Sequence, residues 1–203
     1  MPRTRLFWAV CVICVAHTAV AGAQTPSGRI EVGGQVASVS SGQFDAADAG
    51  FGGRVSWRPN SFLGLEAELN VFPRDFPSGR PFSRGRFEGL FGATAGTTFD
   101  RFRPFVRVRP GFVAVQESPE PFACILIFPP PLTCTLASGR TLAAVDLGGG
   151  LDIATTARTF VRVDLGDRLV RYPGPSFDSE RMIREDSFFA HEFRFAAGGG
   201  VRF

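Results

Sequence analysis

The sequence predicts an all-β fold: one closed, antiparallel, up-and-down barrel of about eight strands. Three observations favour this fold. Apolar and polar residues alternate with a period of two over most of the chain after residue 29, as in strands whose two faces have different surroundings. Helical periodicity is nearly absent there. The connections between the alternating stretches are long and short by turns.

The alternating stretches give the order of the elements. The third is the strictest, because Leu63, Leu65 and Leu69 share one face while Glu66 and Glu68 share the other. The eight predicted strands cover residues 30–36, 51–57, 63–71, 87–95, 104–115, 145–153, 161–166 and 192–203.

The connections decide which surroundings the barrel has. Long connections are predicted over residues 38–48, 73–84, a segment containing two cysteines, and 171–187, whereas residues 59–61, the region of residue 100, and 155–158 form short turns. Short turns at one end and longer loops at the other are typical of transmembrane barrels, in which the apolar face meets lipid. The polar face then lines the lumen.

The charged face predicts the contents of that lumen. An eight-stranded barrel has an interior that side chains can fill, so we expect an ion-pair network there and no wide diffusion channel. The predicted network consists of Glu66, Glu68, Glu88, Arg107, Arg109, Asp146, Asp152, Arg162, Asp164, Glu192 and Arg194. Arg54 and Arg58 share its face.

The N-terminus has the three parts of a secretory signal. Arg3 and Arg5 precede an apolar run, and the small residues of Ala21-Gly-Ala23 follow it. The run is interrupted and short for a membrane-spanning helix. We therefore expect a cleaved signal peptide over residues 1–23 and a barrel domain over 24–203.

Two cysteines, Cys124 and Cys134, remain after cleavage. An exported chain meets an oxidising compartment, so we expect a disulfide between them, worth about 2–3 kcal/mol. A metal site is the alternative, but it needs further ligands and none are nearby in the sequence.

Composition and motifs limit the other partners. The basic residues are scattered through the chain, which argues against binding of nucleic acid. The glycine runs at 148–150 and 198–200 lack the pattern of a phosphate loop and are expected to permit bending and close approach within strands. We predict no cofactor and no metal.

The chain ends on an aromatic residue within an alternating stretch that contains Phe193, Phe195, Val201 and Phe203. This ending resembles the C-terminal assembly signal of bacterial outer-membrane proteins. Together with the signal peptide and the connections, it makes the chain similar to the family of small outer-membrane β-barrels typified by the membrane domain of OmpA and by OmpX. The resemblance implies an outer-membrane location, lipid around the barrel, and the barrel-insertion machinery as a partner during biogenesis.

The chain departs from this family in its aromatic residues. It has 22 Phe but one Tyr and two Trp, whereas such barrels usually have girdles rich in Tyr. Phe, Trp57 and Tyr172 are expected to replace the girdle in part.

The leading functional hypothesis is a non-enzymatic membrane protein that displays loops at the cell surface, for a ligand that the sequence does not identify. Residues 73–84, 124–134 and 177–189 are the expected contact surfaces. One alternative is a lipid-modifying enzyme that uses His191, Glu192 and Ser187, although His191 shares the lipid-facing parity of Phe193. The others are a narrow pore and a soluble, lipocalin-like periplasmic barrel.

Overall fold

The computed structural model describes residues 29–41, 46–73, 85–117, 136, 139–174, 176–178, 181–184 and 187–203. The predicted signal peptide and both cysteines of the predicted disulfide lie outside these residues. No helix within the described residues is long and apolar enough to cross a membrane.

Eight antiparallel strands close into a barrel, which confirms the predicted fold and strand number. The closed order is β1-β10-β7-β6-β5-β4-β3-β2, and β8 and β9 form a separate two-stranded hairpin. The strands are β1 (Arg29–Ser41), β2 (Ala46–Arg58), β3 (Leu63–Phe72), β4 (Arg86–Gly96), β5 (Phe102–Val115), β6 (Arg140–Ala154), β7 (Thr159–Tyr172), β8 (Ser176–Asp178), β9 (Arg181–Arg184) and β10 (Phe188–Arg202).

The two faces of the strands differ as the alternation predicts. Along β3, exposed and buried residues alternate at every position from Leu63 to Phe72. Leu69 is 55% exposed on the outer wall, whereas Glu68 is 1% exposed inside. A soluble, lipocalin-like barrel would place its apolar face inward. The outer wall of this barrel is therefore suited to hydrocarbon, and closure leaves no strand edge unpaired there.

The connections define two ends of the barrel. We call the end with residues 59–62, 97–101 and 155–158 the turn end, and the opposite end the loop end. The first predicted long connection is wrong, because Ser41 pairs with Ala46 and only residues 42–45 lie between the strands. The alternation of apolar and polar residues fails near this connection, because the apolar side chain of Val39 points into the lumen. The predicted polar loop over residues 171–187 is also shorter, and it contains the β8-β9 hairpin.

Exposed aromatic side chains gather near both ends of the outer wall. The turn end has Trp57, Phe62, Phe99, Phe102 and Phe203, and the half of the wall nearer the loop end has Phe51, Phe112, Phe189 and Phe193. Phenylalanine thus occupies the positions of aromatic girdles. The expected role of Tyr172 in the girdle is wrong: this side chain is 2% exposed and lies inside the barrel.

Pro110 interrupts the hydrogen-bond ladder between β4 and β5. The register between β4 and β5 passes from Leu90 opposite Gly111 to Ala93 opposite Val108 and skips the residues between, which include Pro110. Proline has no backbone N–H to donate, so a ladder position is lost there. Pro104 lies at the start of the same strand, where its carbonyl oxygen accepts a 3.3 Å bond from the Thr97 amide.

The interior differs along the barrel. At the loop end an apolar layer lies on the side formed by β5, β6, β7 and β10, and Ser41 and Arg86 are buried on the opposite side. The apolar layer consists of Val113, Leu136, Leu142, Ala144, Val170, Tyr172 and Ala190. Leu136 comes from the connection between β5 and β6, and its carbonyl accepts a 3.1 Å bond from Gly139, which has a positive φ of 70°. Below this layer the interior is dominated by charged side chains.

The outer wall generates a depth-dependent prediction. Ala67 is exposed at the middle of β3, whereas Leu63 is exposed at its turn end. We expect Ala67→Arg to lower the free energy of unfolding by about 2–4 kcal/mol and Leu63→Arg by about 0–1 kcal/mol, because the cost of a lipid-facing arginine falls toward the interface. Denaturant unfolding in lipid vesicles, followed by Trp57 fluorescence, measures both. Equal losses would contradict a membrane around this wall.

Candidate functional site: an interior ion-pair network

The structure places all eleven predicted network residues inside the barrel, each at most 2% exposed. Inward parity on each strand accounts for this, because every second residue points to the lumen. The eleven side chains form ion pairs with one another or with further arginines, and Arg54 and Arg58 also take part. Together with Arg54 and Arg168, the eleven residues form one connected set of charges across several strands, whereas Arg58 pairs with Glu31 outside that set.

Arg109 joins three strands. Its Nη1 lies 2.7 Å from Glu66 and 2.5 Å from Glu68 on β3, and its Nη2 lies 2.7 Å from Asp146 on β6. A guanidinium has five N–H donors in a planar fork, so one arginine can bind several carboxylates at once. Arg107 also donates to Asp146, at 2.8 Å.

Asp164 on β7 is a second junction. Arg162 and Arg194 approach it at 3.3 Å, Arg54 lies 3.8 Å away, and Arg107 forms a close ion pair with it. Arg162 also lies 2.6 Å from Glu66 across the lumen. Contacts across the lumen mean that side chains occupy the centre of the barrel and not only its wall.

Sequence reasoning missed Arg168, which is fully buried. It donates to Glu192 at 2.9 Å through Nε and forms a close ion pair with Glu88. Tyr172 donates its hydroxyl to the same Glu192 at 2.6 Å. The predicted seventh strand ended at residue 166, but the spacing of two from Asp164 could have revealed Arg168.

Two amides inside the barrel were also missed. Asn70 donates to Glu68 at 2.6 Å and to Glu88 at 2.8 Å, and it accepts a 2.9 Å bond from Gln35. A neutral donor between two carboxylates offsets part of their repulsion. Alternation places both amides on the charged face, but the predicted network contains only residues with charged side chains.

The turn end holds a smaller group of charges. Glu31 forms a 2.6 Å ion pair with Arg202 and a close one with Arg58, and Arg103 lies 3.2 Å from Asp152. Sequence reasoning did not include Glu31, Arg103 or Arg202 in the network. Arg103 precedes the predicted fifth strand, and the other two lie near the ends of the first and last strands.

Inward-facing glycines permit close approach of the backbones of neighbouring strands. A Cβ on Gly92 would collide with the backbone of Val108 and Arg109, and one on Gly198 would collide with the carbonyl oxygen of Gly34. Close backbone approach thus occurs at the second of the two predicted glycine runs, and Gly148 in the first is similarly crowded by Leu165.

The three residues of the alternative catalytic hypothesis are not brought together. His191 points outward, with 73% of its side chain exposed, and its Nδ1 lies 2.6 Å from Asp167. Glu192 points into the lumen, and Ser187 Oγ accepts a 3.3 Å bond from Arg171. Among the described residues no group of three His, Cys, Asp or Glu could hold a metal ion.

Arg109 provides the sharpest test of the network. We expect Arg109→Met to lower the free energy of unfolding by about 3–5 kcal/mol, because it leaves three buried carboxylates without a major partner. Arg158→Met, in the exposed turn between β6 and β7, is the control and should change stability by less than about 0.5 kcal/mol. Denaturant unfolding of the two variants in vesicles compares them, and similar losses would argue against a dominant Arg109 junction.

Comparison with known proteins gives the fold class. No protein-family model matches the chain, and no curated protein matches it either. The chain is similar to the solved N-terminal β-barrel domain of Pseudomonas aeruginosa OprF, with a TM-score of 0.50 and 11% identity over 85% of this chain and 97% of that one. It is also similar to Ail, the attachment invasion locus protein of Yersinia pestis, with a TM-score of 0.51 and 11% identity over 88% of this chain and 100% of that one.

At sequence identities this low, the similarity shows the fold alone. The fold is that of small outer-membrane β-barrels, and the apolar outer wall and charged interior suit the same surroundings.

Proposed function

We propose that this protein is a non-conducting outer-membrane barrel that holds surface-exposed connections in place for a structural or surface-interaction role. One observation carries the proposal: the interior is filled by ion pairs that cross the lumen. Arg162 on β7 reaches Glu66 on β3, and Arg194 on β10 reaches Glu68, which also lies on β3.

The network extends along most of the barrel. Arg86 and Asp48 form a close ion pair toward the loop end, and Arg202 pairs with Glu31 at the turn end. An ion that crossed would have to separate buried pairs, and leaving a buried charge without its partner costs several kcal/mol. The apolar layer at the loop end fills part of the lumen there.

The loop end supports the interaction part of the proposal. Three long connections, residues 73–85, 116–139 and 173–187, begin and end at strand ends of the loop end, so a rigid scaffold fixes their attachment points. Recognition in such proteins is usually carried by loops on a rigid frame. Leu136 lies in the apolar layer and ties the second of these connections to the barrel.

Electrical recording tests the closed lumen. We expect the folded protein to give no unitary currents in planar bilayers, because ion pairs occupy the centre of the barrel. A porin inserted in the same chamber shows that channels can be detected. Unitary currents that change on Glu68→Gln would overturn the proposal in favour of a narrow pore.

Epitope insertion tests the display of the connections. A tag placed after Ser78 should be labelled by antibody on intact cells, whereas a tag after Thr156 in a short turn should be labelled only after permeabilisation. Both insertions interrupt connections and not strands, so they form a matched pair. Labelling of the Thr156 tag alone on intact cells would reverse the orientation and remove the basis for surface interaction.

A further inference from the structure

The charges at the turn end differ from those in the rest of the lumen. We define the turn-end cluster as Arg58, Arg103, Arg202, Glu31 and Asp152. Each residue lies within three positions of the turn end of its strand. The cluster has three arginines and two carboxylates.

The remaining interior ion pairs are balanced in charge. Among the described residues they join seven arginines and seven carboxylates. These are Arg54, Arg86, Arg107, Arg109, Arg162, Arg168 and Arg194 with Asp48, Glu66, Glu68, Glu88, Asp146, Asp164 and Glu192. The surplus positive charge among these ion-paired residues therefore lies in the turn-end cluster.

Arg103 also has unused hydrogen-bond donors. Its Nη1 donates to Asp152, but its buried Nε and Nη2 have no partner among the described residues, although Arg103 is only 4% exposed. Asp152 is shared, since Nε of Arg162 lies 3.6 Å from it. Buried donors without acceptors and an uncompensated charge are both costly, and one anion would satisfy both.

Arg202 is the second arginine of the turn-end cluster that is placed to bind an anion. Arg202 lies over the ring of Phe160, 4.8 Å from its centroid, and stacking on a ring leaves the N–H groups at the guanidinium edge available. The Arg202 side chain is 13% exposed and that of Arg58 is 10% exposed, so the cluster is reached from the turn end. Planar guanidinium groups suit the oxygens of phosphate.

We propose that the turn-end cluster binds one small inorganic oxyanion of the phosphate type, held by Arg103 with support from Arg202. The anion neutralises the surplus charge and accepts hydrogen bonds from the Arg103 donors that have no acceptor within the described part of the chain. This site is independent of whether the connections at the loop end bind a partner.

Thermal unfolding of the folded full-length barrel in a glycoside detergent tests the proposal. The unfolding midpoint is read from the gel shift between folded and heated protein, in inorganic phosphate or in gluconate at equal ionic strength and pH. For the wild type we expect phosphate to raise the midpoint by about 5 °C or more at about 100 times its dissociation constant. Arg103→Gln should remove this phosphate dependence.

Arg101→Gln is the matched control, because Arg101 lies two residues away in the exposed turn and carries the same charge. It should keep the full phosphate dependence. Equal loss in both variants would mean general screening of a positive surface, and no phosphate dependence in the wild type would mean that water satisfies Arg103. Either result overturns the proposal.

If Arg103→Gln fails to fold, wild-type crystals grown with arsenate as the phosphate substitute decide the question. An anomalous peak within hydrogen-bond distance of Arg103 supports the site, and its absence at full anion concentration overturns it.

Discussion

Backbone hydrogen bonding in hydrocarbon is the constraint on which the rest of this structure depends. A strand edge exposed to lipid would leave N–H and C=O groups without partners, so the sheet must close. Closure of eight strands fixes a narrow interior, and the period of two then assigns each residue to lipid or to lumen. The exposed leucines of β3 and the buried glutamates between them follow from the same geometry. Because the barrel is closed, the charged face of each strand lies in the lumen.

The choice of arginine over lysine follows from the crowding inside. All 22 basic residues of the chain are arginine. A lysine ammonium is a compact charge, whereas the planar fork of Arg109 reaches three carboxylates on two strands. Such branched contacts let few side chains connect many strands. The inward-facing Gly166 leaves space for one of these side chains, since a Cβ there would lie 3.3 Å from Nη2 of Arg107.

Alternation made the middle of the barrel predictable and left its ends obscure. The third strand was predicted over residues 63–71 and observed as Leu63–Phe72, because lipid and lumen impose opposite polarity along its whole length. Near the loop end apolar side chains such as Val39 and Val170 also point inward, so the contrast in polarity between the two faces of a strand is lost. For this reason the predicted connection between the first two strands is too long, and the predicted seventh strand ends before Arg168. The expected place of Tyr172 in the girdle is wrong because aromatic residues occur on both faces here; its spacing of four from Arg168 and its contact with Glu192 place it inside.

Buried ion pairs contribute less to stability than their number suggests, since desolvation offsets much of their attraction. Their stronger effect in this barrel is on register. If one strand slipped by one residue against its neighbour, every side chain of that strand would move to the other face. Its apolar side chains would then point into the lumen and its charged side chains toward lipid. If the interior were apolar, both faces would be alike and such a slip would cost little. On β3 a slip would move Glu66 and Glu68 into hydrocarbon and separate both from Arg109. The charges inside the barrel thus fix which face of each strand is the outside.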